Sequence, residues 1–192
     1  MKYLVSVALI VALLALSGCS WFGGGSSDGC ACCRHGSCRP PVHPKDSKQK
    51  VALRIVNVLD QELFDDAHIA SGPGVESICV QFDDIEEVAR SWDKAIPVVV
   101  YCSNYFCSAS REAASMLGAL GFERVYAYEG GMAEWYQLFN ETDRDLITGP
   151  AQQEYLSIVV EAPEEQEVAG ENFAIITALE LQNLIKKATI SE

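Results

Sequence analysis

The stretch "IPVVVYCSNYFCSASREAASMLGALGFERVYAYEGGMAEW", from Ile96 to Trp135, decides the fold. Its apolar opening reads as a buried strand that ends at Cys102, and a second cysteine, Cys107, follows five residues later. Helical periodicity then runs from Ser108 to Leu120, "RVYAYE" reads as another strand, and a second helical stretch spans Met132 to Phe139. A thiol at the carboxyl end of a buried strand, facing the start of a helix, is placed for chemistry. Two thiols there suit a nucleophile with a resolving partner, a metal site, or a staple.

Upstream the same rhythm holds. "VALRIVNVL" from Val51 and "SICVQF" from Ser77 read as strands, with a helix over Asp83 to Trp92. Strands alternating with helices predict an α/β fold, a parallel sheet with helices on both faces. Ligand sites in such sheets lie beyond the carboxyl ends of the strands, and Cys102 sits at such an end.

A chain of 192 residues suffices for one domain with a real core plus appendages. Its 49% apolar and 21% charged content is that of a globular protein, and its net charge of -13 excludes the basic footprint of a nucleic-acid binder. An acidic surface repels anionic substrates at long range, so an anion site has to be local.

The opening "MKYLVSVALIVALLALSGC" has one Lys, an apolar stretch from Tyr3 to Leu16, then small residues. That stretch is shorter than the roughly 20 residues that span a bilayer and has the layout of an export signal. Leu16-Ser17-Gly18-Cys19 resembles the bacterial lipobox, which implies a signal peptide over 1–18 and lipidation of Cys19. The alternatives are an uncleaved anchor helix or a plain signal cut at another small residue. In each case the remainder is expected outside the cytoplasm; the lipobox reading makes it a membrane-anchored lipoprotein of the periplasm or cell surface. Ser20 resembles the residue type that permits outer-membrane sorting.

Residues 19–50 read as a flexible stalk, Gly/Ser-rich at first and then crowded with Cys30, Cys32, Cys33 and Cys38 beside His35 and His43. In an exported protein disulfides are the default for such a cluster. Soft-metal binding ranks behind them, because the spacing is not that of a regular zinc module. Residues 51–140 form the main domain. Residues 141–171, closing on "EAPEEQEVAGE", read as an acidic, solvated linker. Residues 172–192 offer a short strand and a helix, with capping-box spacing at Thr177 and Glu180 and an apolar face of Leu181, Leu184 and Ile185.

Four features in order make the region from Val51 to Phe139 resemble a single rhodanese domain, the sulfurtransferase module that carries sulfur as a cysteine persulfide. Asp60 ends the first strand, where the family usually has an Asp. "FDDAHI" (Phe64 to Ile69) fits the family's aromatic, three residues, His, aliphatic pattern. "VVVYC" delivers Cys102 at the start of the active-site loop. "GFERVYAYEGGMAEW" carries the closing signature through Gly130, Gly131, Met132 and Trp135. There are departures: "ASGPG" replaces the usual Pro-Gly-Ala turn, and the loop lacks the glycine and basic residue common in thiosulfate-using members. Ser108 stands where related phosphatase loops have Arg, which argues against phosphatase activity.

The resemblance implies that Cys102 is the catalytic thiol, with Ser103, Asn104, Tyr105, Phe106 and Ser108 forming the loop around it. A persulfide carrier must ionise near neutral pH. If the loop curls around the sulfur, the N–H groups of residues 103–108 and the positive end of the following helix stabilise S⁻. Arg111 is either a contact for an anionic donor or a solvated arginine. Cys107 is either a resolving thiol or a small residue that never pairs. His68 is expected in a structural turn, Trp135 and Tyr136 in packing, and Cys79 as an inert buried thiol.

The expected function is therefore extracytoplasmic sulfur transfer through a persulfide on Cys102. The partners are a small sulfur donor and a thiol or cyanide acceptor, protein thiols included, with no cofactor and no nucleic acid. The rivals are a thiol–disulfide oxidoreductase using Cys102 and Cys107, and an inactive rhodanese fold serving as a binding module; oligomeric state is left open. Rhodanese domains usually begin with a strand and helix that "HPKDSKQK" cannot supply. The tail is expected to supply them as a permuted opening, with Phe173 to Ile176 in the sheet and Ala178 to Lys187 packed on it, closed within one chain or by exchange between two. The rival there is the truncated start of a second domain.

Overall fold

A computed structural model describes residues 50–159, 161–163, 170 and 172–190. The expected signal peptide, the expected lipidation site Cys19 and the cysteines Cys30, Cys32, Cys33 and Cys38 of the expected stalk lie outside the described residues. In chain order the elements are β1 (Leu53–Asn57), α1 (Gln61–Asp66), β2 (His68–Ile69), β3 (Val75–Cys79), α2 (Ile85–Ala89) and β4 (Val98–Tyr101). There follow α3 (Ala109–Ala119), β5 (Val125–Tyr128), α4 (Gly131–Phe139), β6 (Ile147–Thr148), β7 (Ala174–Ile175) and α5 (Ala178–Ile190). Five strands form one parallel sheet in the order β3-β1-β4-β5-β7.

Side-chain alternation along these strands makes two cores, one on each face of the sheet. Leu53, Ile55, Val99, Tyr101 and Tyr128 turn toward a cluster with Met132, Trp135, Leu181 and Ile185, from α4 and α5. Val56, Val98, Val100, Val125 and Ala127 turn the other way, against α2 and the Ala113, Ala114, Leu117 face of α3. The α/β class expected from the sequence holds, and β4, buried on both faces, occupies the middle of the sheet.

Several boundaries differ from the sequence reading. The strand expected over Ser77–Phe82 begins earlier, at Val75, because a tight turn over Gly72 to Val75 launches it in register with Leu53. The helix expected over Asp83–Trp92 shrinks to α2, preceded by a 3₁₀ turn over Phe82–Asp84. Asp60 does not end the first strand; β1 stops at Asn57, and Asp60 caps α1 with its backbone carbonyl. His68 lies in β2, its Nδ1 donating to the Phe64 carbonyl at 2.8 Å and its ring stacked on Phe64.

The largest correction concerns 141–171. Only the stretch around 161–171 keeps the composition of a solvated linker; residues 144–157 are folded onto the domain. β6 pairs antiparallel with β2 (His68↔Thr148, Ile69↔Ile147), and a 3₁₀ turn over Glu154–Ser157 buries Leu156. Asp66 anchors this segment. Its backbone carbonyl accepts Ala151 N–H at 2.8 Å, and its carboxylate accepts the N–H groups of Gln152 and Gln153 at 3.0–3.1 Å. Charge-assisted bonds of this kind contribute about 1.5–3 kcal/mol each when buried. For a half-exposed site we expect Asp66→Ala to cost about 1–2 kcal/mol in a denaturant melt. An unchanged midpoint would show the segment held by Leu156 and Ile147 alone.

The tail closes within the one chain. β7 adds to the edge beside β5 (Tyr126↔Ala174, Ala127↔Ile175). The Thr177 N–H donates to Glu180 Oε2 at 2.8 Å while Glu180 N–H reaches Thr177 Oγ1 at 3.3 Å, a reciprocal capping box that starts α5. Those bonds hold the Glu180 carboxyl below its ordinary range. α5 buries Ala178, Leu181, Ile185 and Ala188 and half-buries Leu184, packing against β1 and β3.

Candidate active site

Cys102 follows the last residue of β4 and is fully buried, at 0% exposure. The loop from Cys102 to Ser108 then leads into α3. Within it Asn104 folds the chain back on itself. Its Oδ1 accepts Phe106 N–H and its carbonyl accepts Cys107 N–H, both at 3.0 Å. Two of the donors expected to converge on the Cys102 sulfur are therefore taken inside the loop. Facing Cys102 Sγ are the Cys107 carbonyl at 3.1 Å, the Asn104 carbonyl at 3.8 Å and Ser110 Oγ at 3.5 Å, and the Ser110 hydroxyl and N–H both act to lower its pKa. Two carbonyls accept a thiol proton and repel a thiolate. Pairing with Cys107 and burial both push the Cys102 thiol far up.

Cys107 sits differently. It is half-buried and lines a cleft of about 290 Å³ with Tyr105, Phe106, Ser108, Arg111 and Glu129. The neighbouring Cys102 thiol acts most strongly on its sulfur, and the N–H groups of Ala109 and Ser103 add to the effect. Together they pull the Cys107 thiol down to about 5. The donors expected around Cys102 alone are thus shared, Ser110 serving Cys102 and Ala109 and Ser103 serving Cys107.

The loop is held from behind by α4. Met132 N–H donates to the Cys102 carbonyl and Ala133 N–H to the Ser103 carbonyl, each at 2.9 Å. Glu134, one residue on, accepts Tyr105 Oη at 2.8 Å and Tyr128 Oη at 2.7 Å on its two oxygens. That carboxylate and burial both push the Tyr105 and Tyr128 hydroxyls up, so they remain donors. Such close approach requires Gly131, whose φ is +62° and whose missing Cβ would fall 2.5–2.6 Å from the backbone of Cys102, Ser103 and Asn104.

Arg111 projects from α3 into the cleft, but its Nε and Nη2 meet Glu129 Oε1 at 2.6 and 2.5 Å. A largely buried carboxylate thus occupies the guanidinium that the sequence offered to an anionic donor. Ser108 does not cap α3 with its side chain; its hydroxyl donates to Glu112 at 2.6 Å. Cys79 is half-buried rather than buried, its thiol donating to the Leu59 carbonyl at 3.3 Å. Among the described residues no group of three or more His, Cys, Asp or Glu side chains is arranged to hold a metal, and no helix is long and apolar enough to cross a membrane.

Residues 44–138 match the family described as "Rhodanese-like domain". Over 96 residues the chain is 30% identical to thiosulfate sulfurtransferase GlpE of Pseudomonas fluorescens (strain SBW25), covering 50% of this chain and 81% of that protein. The chain belongs to the rhodanese-like family.

The same-named protein of Pseudomonas syringae pv. syringae (strain B728a) is also 30% identical over 96 residues. Among solved structures, the Rhodanese_3 like domain of the Alr3790 protein from Anabaena sp is 26% identical, with a TM-score of 0.39 over 45% of this chain and 93% of that one. For a rhodanese-like domain the closing Gly-Gly signature acquires a physical meaning here: it lets the first N–H groups of α4 grip the active-site loop. The sequence reading missed Glu134, Glu129 and Ser110. Glu134 carried a faint trace, since it stands at the start of a helix six residues after Tyr128 in "YAYEGGMAE"; its other partner, Tyr105, lies 29 residues away.

Proposed function

We propose that this rhodanese-like domain is a sulfurtransferase that carries sulfane sulfur as a cysteine persulfide on the loop holding Cys102 and Cys107. The observation that carries the reading is the pair itself: two free thiols on one loop at the carboxyl end of the central strand, the Cys102 thiol donating to the Cys107 carbonyl at 3.1 Å and Cys107 lining an open cleft. Uptake is a displacement, Cys–S⁻ + R–S–SH → Cys–S–SH + R–S⁻, and delivery to a thiol or cyanide acceptor reverses it. The relatives are named thiosulfate sulfurtransferases. With Arg111 engaged by Glu129, this cleft suits a donor less anionic than thiosulfate, such as an alkyl persulfide, and a protein thiol serves as well as a small one. The lipobox-like Cys19 and the export-type opening support work at the membrane surface outside the cytoplasm, anchored by lipid.

The experiment is intact-mass detection of a bound sulfur atom after incubation with an alkyl persulfide, thiosulfate or polysulfide. We expect uptake from the alkyl persulfide to exceed that from either dianion by roughly tenfold or more. The double variant Cys102→Ser/Cys107→Ser should take up none. Uptake by the double variant, or none by the native chain, would refute the reading; the latter favours an inactive binding module. The proximity of the two thiols also favours a second reading, thiol–disulfide exchange, which predicts a dithiothreitol-reversible disulfide with no sulfur bound first.

A further inference from the structure

Resting on that reading, we propose that Glu129 is a specificity-determining residue of the cleft, one that turns away dianionic sulfur donors in favour of neutral or cationic persulfides. Glu129 follows the last residue of β5, the strand beside β4, so it stands at the same carboxyl edge of the sheet as Cys102. It lines the cleft together with Tyr105, Phe106, Cys107, Ser108 and Arg111. Among the described residues it is the one charged side chain that is buried, at 7% exposure. A buried carboxylate is costly unless it is paired, and here the Arg111 Nε and Nη2 groups both donate to its Oε1, at 2.6 and 2.5 Å.

The pair of Glu129 and Arg111 is neutral, so the guanidinium is present at the mouth without giving the cleft a net positive charge. The field of the carboxylate reaches other parts of the wall. Burial and Glu134 push the Tyr105 hydroxyl up, and Glu129 adds to that rise. Donors feel the same field in proportion to their charge. Thiosulfate transfers its outer sulfur as Cys–S⁻ + S–SO₃²⁻ → Cys–S–S⁻ + SO₃²⁻, so two negative charges must enter and two must leave as sulfite. An alkyl persulfide, R–S–SH, enters neutral and leaves as the monoanion R–S⁻. Glu129 therefore opposes the first donor at both stages and the second only on departure. A persulfide bearing an ammonium group is drawn in by the same charge.

The test compares sulfur uptake by full chains from thiosulfate and from a neutral alkyl persulfide, read by intact mass over a series of donor concentrations. Glu129→Gln keeps an oxygen for the Arg111 N–H groups and removes one negative charge. Its ratio of thiosulfate to persulfide uptake should rise roughly tenfold over native, through a lower half-saturating thiosulfate concentration rather than faster transfer at saturation. Glu129→Asp retains the charge and should keep most of the native discrimination. Glu123→Gln removes an exposed charge before β5, at the opposite end of that strand, and should leave the ratio as it is. An unchanged ratio in Glu129→Gln would overturn the proposal. So would an equal rise in Glu129→Asp, which would make the residue an ion-pair strut, or in Glu123→Gln, which would make net charge the cause. If Glu129→Gln does not fold, persulfides of matched size given to the native chain decide. Those ending in an ammonium or an amide should be taken up roughly threefold faster or more than one ending in a carboxylate, and equal rates would overturn the proposal. No uptake by the native chain from any donor would instead remove the sulfurtransferase reading itself.

Discussion

A chain ended at Gly170 is expected to melt far below the full domain or to be insoluble. The truncation removes β7 and α5, and with them Ile176, Leu181 and Ile185, which are at most 9% exposed. Burying such side chains is worth about 1.5–3 kcal/mol each, against a net stability of about 5–15 kcal/mol for a whole domain. Ordering the tail offsets part of this gain. The face it covers, however, is not disposable: Leu53, Ile55 and Val75 lie in the same cluster and would meet water. The edge of β5 would also lose its partner, leaving backbone groups around Tyr126 and Ala127 unpaired. Leu181→Ala offers a graded version, costing about 2–5 kcal/mol. Coincident melting of truncated and full chains would show the tail to be an appendage.

Gly131→Ala should have the largest effect on chemistry of any single methyl added to this molecule. The residue sits at φ +62°, where an L side chain costs about 1–2 kcal/mol. The larger penalty is steric, since the new Cβ would lie 2.5 Å from the Ser103 carbonyl carbon and 2.6 Å from Asn104 N and the Cys102 carbonyl oxygen. All three are backbone atoms of the active-site loop and none can swing aside. Either the loop lifts or α4 retreats, and both break the two bonds from Met132 and Ala133. We expect a stability loss of about 2–4 kcal/mol. A displacement of about 1 Å at the thiols should slow sulfur uptake roughly a hundredfold. Gly72→Ala is the control, for a Cβ there meets nothing within 4 Å. Undiminished uptake in Gly131→Ala would mean that the grip of α4 does not set the geometry of the cysteines.

How much of this was legible depended on whether a residue type states its own role. Val98–Tyr101 and Val125–Tyr128 are apolar runs that can only be buried, so the parallel sheet could be read directly, as could the placing of Cys102 at its carboxyl end. The capping box at Thr177 and Glu180 names its own geometry. By contrast β2 and β6 are two residues each, too short for any periodicity, and their pairing hid the folded character of 144–157. Which way the loop's carbonyls point was equally hidden. It turns on Asn104, whose side chain competes for Phe106 N–H, a choice that composition does not announce. Arg111 looked free because its partner, Glu129, comes from another strand end.

The packing of α5 against β1 also governs when this protein can exist. The first described strand and the last described helix lie against each other, so the contacts that seal one face are among the most distant along the chain. Loop-closure entropy has to be met before such contacts give anything back, which makes them late events in folding. During synthesis, at about 5–20 residues per second, β1, β3, β4 and β5 all emerge before the helix that covers them. The nascent domain therefore waits with an open apolar face until α5 has left the ribosome. That is the form a chaperone binds, and it persists until nearly the whole domain has been made.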